Sequence, residues 1–398
     1  MQAPKVIRLD PSRCCGCAAC AASCPRDAIS MQGDELGFKH PVWNEDACVS
    51  CGRCDAVCPA LSPRDKSCPV EAYWAQTQDE SLLNNSSSGG VFGVLARSIL
   101  SKGGVVYGAA LSSDCKSVGH IRVSELSQLP AVLTSKYVQS TVDKDVYRSV
   151  REELGRDIPV LYSGTPCQVA GMKEYLGPLA EQESCILVDV MCHGVPSPAL
   201  WRNWIDYLGQ EESIEGVNFR NKETGWRSFS VSYEYSTEKG ERSKVRRVPH
   251  ADDWYMKAFL NNASLRSSCF QCPVKLSSGS DITLGDYWGF KSDGLPVDAD
   301  RGISAVIVRT QKGALAFAEV ESLLVDGKAE VEDISANNPA LEKSVSPYES
   351  RDDFLNEIIA GVPLEEMAQR WSFAPSFRKR VLRKLRNILV GLFGGGAQ

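Results

Sequence analysis

Two short stretches of the chain place cysteines at the same spacing. The first, CCGCAACAASCP, runs from Cys14 to Pro25, and the second, CVSCGRCDAVCP, runs from Cys48 to Pro59. Each contains the frame C-x2-C-x2-C-x3-C-P, whose closely spaced thiolates suit an iron–sulfur cube. This feature restricts the fold strongly, because the cysteines of both loops must gather around inorganic groups that supply much of a small domain's stability.

The fourth cysteine of each frame lies too far along the loop to reach the cube of its own frame, so it serves the other cube. The frames resemble those of a two-cluster bacterial ferredoxin, and they predict an α+β ferredoxin-like domain over residues 1–69. A zinc site is the alternative, since all-cysteine zinc sites also use C-x2-C pairs. Cys15 falls outside both frames and is interpreted as a bystander. The predicted ligands are Cys14, Cys17, Cys20 and Cys58 for one cube, and Cys48, Cys51, Cys54 and Cys24 for the other.

The use of cysteine in the whole chain favours redox chemistry in a reducing compartment. There are 16 cysteines in 398 residues, and we find no stretch with the composition of a secretory signal or the length of a membrane span. We therefore expect a cytoplasmic protein that binds metal rather than a disulfide scaffold. The net charge of −6 does not favour binding to nucleic acid.

Beyond about Val70 the pattern changes to alternating helices and strands, which predicts an α/β domain with a mainly parallel sheet. Ligands of such sheets bind beyond the carboxyl ends of the strands. The loop NSSSGG (Asn85 to Gly90) comes before a helix, where free N–H groups favour a phosphate, although an ordinary helix cap is the commoner interpretation. The stretches YSGTPCQ and VMCHGVPS each end a predicted strand at the same edge.

Seven short sequence motifs of this region together resemble those of one known family. The chain is similar to the beta subunits of deazaflavin coenzyme (F-420) reducing hydrogenase and formate dehydrogenase over roughly Glu71 to Asp333, which we divide into residues 70–155 and 156–340. The resemblance implies an α/β flavoprotein domain that carries a flavin, FAD rather than FMN, beside an iron–sulfur cluster. The phrases, in order, are SSSGGVF, SKYVQS, SGTPCQ, CHGVPS, NKETGW, CFQC and SDITLGDYW.

The resemblance also implies roles for individual residues. Three groups would contact the flavin: one near its phosphates, one along the flavin or substrate face, and one near the isoalloxazine ring. His193 is the candidate proton donor, with a structural histidine as the alternative. Four cysteines in the matching phrases form a set for a third cube, with buried small hydrophobes as the alternative. The flavin groups are Ser87, Ser88, Gly89 and Gly90; Lys136, Tyr137 and Gln139; and Thr165, Pro166 and Gln168, and the third set is Cys167, Cys192, Cys269 and Cys272.

These features predict a ferredoxin-linked, flavin-dependent oxidoreductase. Cubes pass single electrons and a flavin couples them to hydride chemistry, so electrons would run between an external donor, the cubes, the flavin and an unidentified small-molecule substrate. The donor would be soluble ferredoxin or a redox subunit. Two alternatives are an electron-transfer subunit of a larger complex with no substrate of its own, and a binding or regulatory module that has lost the flavin.

The last part of the chain, residues 341–398, is predicted to be helical and to end in a basic amphipathic tail. Apolar residues from Phe377 to Leu392 recur at helical spacing, and Arg378, Lys379 and Arg383 are among the basic residues between them. This pattern is typical of a helix lying in a membrane interface, which would make the protein peripheral at a membrane. The alternatives are a helix docked on the body of the protein and a helix docked on an acidic partner.

Overall fold

The computed structural model describes residues 2–62, 69–236 and 244–373. The basic tail predicted from Ser376 onward lies outside these ranges, as do Cys68 and most of the linker after the second cysteine frame. Within the described ranges, no helix combines the length and the apolar character that crossing a membrane requires.

The N-terminal module is small and consists of one β-hairpin and two single-turn helices. Two strands lie between the cysteine frames and pair antiparallel, with Ile29 opposite Trp43. Each cysteine frame contributes one helix, which begins two residues after the second framed cysteine. The assignment of this module to the ferredoxin fold remains a prediction. The elements are α1 (Ala19–Ala22), β1 (Ile29–Gly33), β2 (Lys39–Trp43) and α2 (Arg53–Ala56).

An eight-stranded sheet organises the rest of the chain, with the order β13-β3-β12-β11-β7-β6-β4-β5. Its four central strands, β11, β7, β6 and β4, are parallel as predicted, whereas β5 on one edge and β12, β3 and β13 on the other pair antiparallel. The sheet is therefore mixed, with five of its strands running in one direction. The strands are β3 (Glu71–Thr77), β4 (Val105–Leu111), β5 (Val118–Val123), β6 (Val160–Gly164), β7 (Cys185–Val190), β8 (Ile214–Asn221), β9 (Ser230–Tyr235), β10 (Lys244–Pro249), β11 (Ile282–Asp286), β12 (Ser304–Val308) and β13 (Leu324–Lys328).

Helices cover both faces of this sheet. On one face α4 and α10 pack over residues such as Leu161 and Ile186, while α6 and α7 cover the other face together with α1 of the N-terminal module. Helix α8 begins as its sequence predicts, because Ser197 accepts a hydrogen bond from Leu200 N and Pro198 fills the first turn. These helices are α3 (Glu80–Asn84), α4 (Val91–Ser101), α5 (Pro130–Leu133), α6 (Lys144–Leu154), α7 (Pro166–Leu176), α8 (Pro198–Leu208) and α10 (Gln311–Val320).

A second layer is built by the three-stranded antiparallel sheet β10-β9-β8 and the C-terminal helices. The sheet packs with α8 around a buried aromatic cluster that includes Trp201, Phe219 and Tyr255. Its strands bring residues after Gly209 back over the carboxyl edge of the large sheet, where the predicted site residues lie. The remaining helices are α9 (Trp254–Leu260), α11 (Val331–Asn337), α12 (Arg351–Ile359) and α13 (Leu364–Arg370).

Candidate functional site

The four cysteines predicted to hold the first cube are neighbours in the structure. Cys20 is buried, and its burial, followed by the nearby charges of Cys17, Cys14 and Cys58, raises the pKa of its thiol well above the ordinary value. Cys58 belongs to the second frame and lies near Cys20 of the first, and the exchange of ligands between the frames remains a prediction. The burial of Cys58 raises the pKa of its thiol to about 11. Metal binding would displace these protons, because the thiolate is the ligand form.

The second frame lies closer to the surface. Cys51 is exposed, whereas Cys54 is buried and has its pKa raised to about 11, first by burial and then by the charge of Asp55. Cys48 Sγ accepts a long hydrogen bond from Ser50 N at 3.5 Å, and Cys24 Sγ accepts one from Ala28 N at 3.2 Å. Cys24 lines a cleft with Arg53 and Val57 of the second frame, which places it beside the helix that carries Cys54.

The third set of cysteines comes from three separate segments that meet at one cavity. Cys167 lies in the first turn of α7, Cys192 follows β7, Cys269 lies within a short 3-10 turn at Ser267–Gln271, and Cys272 directly follows that turn. All four line the same small cavity, together with Cys15. Burial raises the pKa of Cys269 to about 12, whereas a hydrogen bond from Cys15 is the main cause that lowers the pKa of Cys167 to about 7.

The number of thiols at this cavity matches the ligand set of an iron–sulfur cube, and their role as ligands remains a prediction. Four thiol side chains around one space provide the full ligand set of a 4Fe–4S cluster. Among the described residues, no group of three or more His, Cys, Asp or Glu side chains is gathered closely enough to hold one metal ion.

Helix capping accounts for the conformations of the residues around Cys167. Thr165 is the N-cap of α7 and forms a capping box with Gln168, whose amide oxygen accepts from Thr165 N at 3.0 Å. The Gln168 amide nitrogen donates to Ser140 O and Oγ at 3.1 and 2.9 Å. Pro166 occupies the first turn, as proline commonly does. These predicted flavin neighbours thus hold Cys167 at the cavity, and their contact with a flavin remains a prediction.

Packing against the large sheet explains the two glycines of NSSSGG. A Cβ at Gly89 would lie 2.2 Å from Ala75 O, and Gly90 has a φ of +86° with Thr77 Cγ2 only 2.6 Å from the position of a Cβ. Ser88 Oγ donates to Ile303 O at 2.8 Å. The loop therefore needs glycines at these two positions in order to pack on β3 and β12. This requirement holds whether or not the loop also contacts a phosphate.

A buried arginine that the sequence did not single out joins several of the matching phrases. Arg220 on β8 donates two hydrogen bonds to the carboxylate of Asp286, at 3.0 and 3.1 Å, and one each to Tyr137 Oη and Ser87 O. Its guanidinium also lies over the ring of Trp288. The Nε atom of Arg220 is buried and has no partner in the described structure. The motif NKETGW begins at the next residue, and this closeness in the sequence is the feature that could have identified Arg220.

Two lysines lie in the same region. Lys222 Nζ donates to the carbonyl oxygens of Leu83, Ser88 and Arg301 at 2.7 to 2.9 Å, and burial lowers its pKa to about 7. Lys136 is half-buried, which lowers its pKa to about 7 as well.

His193 lies between the third cysteine set and the arginine centre, which is Arg220 with its neighbours Ser87, Tyr137 and Lys222. It lines the cavity of the third set, and its Nε2 donates to Asn262 Oδ1 at 2.6 Å. Its ring meets the edge of Phe259 at 5.2 Å, and Phe259 stacks on Tyr137, which contacts Arg220. Burial lowers the pKa of His193. The structure thus connects the two regions through a continuous row of rings, and a catalytic role for His193 remains a prediction.

Comparisons with known proteins agree with the resemblances drawn from the sequence. Residues 159–337 match the family described as the C terminus of the coenzyme F420 hydrogenase/dehydrogenase beta subunit, and residues 13–61 match the 4Fe-4S dicluster domain. Comparison with curated proteins gives no match. A chain of the solved structure described as "Xenon derivatization of the F420-reducing [NiFe] hydrogenase complex from Methanosarcina barkeri" is 16% identical, with 77% of this chain and 94% of that chain covered and a TM-score of 0.44.

Proposed function

We propose that this chain, which joins a 4Fe-4S dicluster domain to a C-terminal region of the coenzyme F420 hydrogenase/dehydrogenase beta subunit family, is an iron–sulfur flavoprotein oxidoreductase. Electrons would pass between an external donor, the two cubes of the dicluster domain, a third cube, a flavin and a small-molecule substrate. The protein would set the potentials of the cubes through burial and hydrogen bonding at sulfur.

One observation carries this proposal. Cys167, Cys192, Cys269 and Cys272 line a single cavity although they come from three distant segments of the chain. Cys15 lines the same cavity from within the first cysteine frame. Chance burial of cysteine as a small hydrophobe explains single thiols, but it does not explain four that converge beside a predicted cube.

The arginine centre is the region that best fits a flavin. Its aromatic rings suit a planar ring system, and the unpartnered Arg220 Nε offers a buried donor. Ser87, Tyr137, Arg220 and Lys222 would hold the cofactor there. A bound flavin would supply the link between single-electron carriers and hydride chemistry. His193, on the row of rings between this centre and the third cube, would hold or move a proton.

An electron-transfer subunit without a substrate of its own is the second candidate. The family description names a beta subunit, which favours a role within a larger assembly. The fused dicluster domain favours a self-contained reductase, because the chain then carries its own route from an external donor. Turnover of a substrate by the purified chain with reduced ferredoxin alone would support the reductase, and turnover only after addition of a second subunit would support the alternative.

Anaerobic purification followed by iron, sulfide and flavin analysis tests the proposal directly. Fully reconstituted protein should hold about twelve irons per chain and should release FAD on denaturation. Two substitutions sharpen the result for the flavin: Arg220→Gln should reduce flavin retention, whereas Arg122→Gln, at a half-exposed arginine paired with Glu153, should not. Protein that holds its iron but neither retains nor binds added flavin would contradict the flavoenzyme and favour the electron-transfer subunit.

A further inference from the structure

The contact between the first cysteine frame and the body of the protein is centred on Arg266. This side chain is 2% exposed and lies just before the turn that carries Cys269 and Cys272. Its Nε donates to Cys14 O at 2.6 Å, its Nη1 to Gln139 Oε1 at 3.1 Å, and its Nη2 to Lys39 O at 2.9 Å. One guanidinium therefore joins both sides of the contact.

The charge of Arg266 is buried without a carboxylate against it. Its hydrogen bonds within the described residues go to two carbonyl oxygens, one amide oxygen and the ring of His40, and the neighbouring carboxylate of Asp34 pairs with His40 at 3.3 Å. Burying a cation is costly unless negative charge or several acceptors compensate it. A cube with four thiolate ligands carries net negative charge, and Arg266 lies beside the first frame and lines the cavity of the third set.

Cys15 occupies the gap between the two sets of predicted ligands. It is 7% exposed, and its thiol is within hydrogen-bonding range of the sulfurs of Cys167 and Cys17. Its carbonyl oxygen accepts from Gln139 Nε2 at 3.1 Å, which ties it to the partner of Arg266. Cys15 is therefore part of the junction between the first and third sets, and the interpretation of it as a bystander does not account for this position.

Two glycines show how closely the surfaces meet. Gly16 has a φ of +68°, and a Cβ there would lie 3.0 Å from both Arg266 Nη1 and Gln139 Nε2. On the other side, a Cβ at Gly171 of α7 would lie 3.1 Å from Cys17 Sγ and from Ala19 Cβ. A Cβ would make a tight contact at both points, so the first frame is packed directly on the segments that carry the third set.

We propose that Arg266 and Cys15 form the electron-transfer junction between the first and third cubes, in which Arg266 is a positioning residue that docks the two sites and raises the reduction potential of both. One electron leaves the reduced cube and enters the oxidised cube, and no bond or proton changes place. A buried positive charge favours the reduced cube, because reduction adds negative charge nearby. This inference rests on the proposed function, since it requires the third cube.

The test is an EPR-monitored redox titration of the full chain after anaerobic reconstitution. The signals of the three cubes are assigned by their loss in Cys20→Ser, Cys51→Ser and Cys272→Ser. Arg266→Gln should lower the potentials of the first and third cubes so that the ratio of reduced to oxidised cube falls at least about tenfold at a fixed potential, which is about 59 mV for one electron. The second cube is the internal control and should not shift.

Three further variants separate charge from folding. Arg266→Lys keeps the charge and should hold both potentials close to those of the wild type. Gln139→Glu keeps Arg266 but places a carboxylate against it, so it should lower the same two potentials even if Arg266→Gln loses iron. Arg309→Gln removes another buried arginine, which is 6% exposed and whose Nε donates to Thr283 Oγ1 at 2.7 Å, and it should leave all three cubes unchanged.

The role of Cys15 is tested by Cys15→Val, which copies the residue at the equivalent position of the second frame. It should keep the full iron content but weaken the magnetic interaction between the reduced first and third cubes. Loss of about four irons would instead make Cys15 a ligand and overturn its place in the junction. Unchanged potentials in Arg266→Gln and Gln139→Glu at about twelve irons would overturn the junction alone, whereas about eight irons in the wild type would overturn the third cube and the proposed function with it.

Discussion

The two cysteine frames have the same local backbone conformation but differ in burial, because the first packs against the large domain and the second lies near the surface. Gly16 and Ala18 of the first frame have φ values of +68° and +66°, and Ser50 and Gly52 at the same positions of the second have +52° and +73°. Each frame then forms one turn of helix, α1 or α2. The repeated spacing therefore specifies one loop conformation twice, as expected when both loops must present three thiolates to a cube.

The surroundings differ because only the first frame is packed on the large domain. All four residues of α1 are buried, with Ala19 0% exposed, whereas in α2 only Cys54 is buried. Tyr147 of α6 donates to Cys17 O at 2.6 Å, which helps to fix the first frame on the body. At the second position of each frame, Cys15 is buried and Val49 is 55% exposed. We therefore propose that the inner cube would exchange electrons within the chain and the outer cube with an external donor.

The largest effect that separates the frames is expected from loss of one ligand in each. Cys20→Ser and Cys51→Ser should each remove about four irons per chain. Only Cys20→Ser should also lower the melting temperature of the large domain, because the first frame contributes to its core. Calorimetry with iron analysis measures both quantities. Equal melting temperatures in the two variants would contradict the difference in packing.

Removal of iron by a chelator should follow the same order. With an iron chelator under anaerobic reducing conditions, we expect about four irons to leave first, from the exposed second frame, before the rest. EPR spectra taken during chelation identify which cube is lost, with Cys51→Ser as the control that lacks the early phase. Simultaneous loss from all sites would show that exposure of the second frame does not control access.

A smaller effect is expected at Gly171, where α7 meets the first frame. Alanine inside a helix normally stabilises it by about 1 kcal/mol relative to glycine, but here the added methyl would press on Cys17 and Ala19. We expect Gly171→Ala to destabilise the protein by about 1–3 kcal/mol. Gly119→Ala is the control, because its Cβ would have only Thr141 O within contact, at 3.8 Å. Stabilisation by Gly171→Ala in thermal unfolding would refute the tight contact.

The smallest change in stability is expected at Val49. Val49→Ser should alter the free energy of unfolding by less than about 0.5 kcal/mol and should leave the iron content unchanged, since the side chain is exposed. Its effect should instead be a slower reaction with an external donor that docks at the second frame. Stopped-flow reduction by ferredoxin measures this rate, and an unchanged rate would show that Val49 is not part of the docking surface.

The local structure followed from the sequence more completely than the site did. Helices and strands alternate after Val70 as predicted, and β6 and β7 end within the stretches YSGTPCQ and VMCHGVPS. The antiparallel edges did not follow, because a fully buried strand such as β12 reports burial on both faces and not direction. The two cysteine frames likewise have similar sequences, and only the folded structure shows that the first frame packs against the large domain.

The sequence could not identify those site residues whose partners lie far away in the chain. Arg266 and Arg220 lie in ordinary contexts, and their importance comes from partners more than 60 residues away, such as Cys14 and Asp286. Cysteines were identified because their spacing carries chemistry, whereas a single arginine has no spacing to interpret. The glycines of NSSSGG show a different difficulty. The motif is typical of phosphate binding, but packing on β3 requires the same glycines.

The iron content of Cys272→Ser tests the central claim most directly, namely that the third cysteine set holds a cube. Cys185→Ser is the matched control, because Cys185 is equally a cysteine of the large domain but is buried within β7. Reconstituted wild type and Cys185→Ser should hold about twelve irons per chain, and Cys272→Ser about eight, with loss of one EPR signal. About eight irons in all three proteins would contradict the account and leave the third set as buried small hydrophobes.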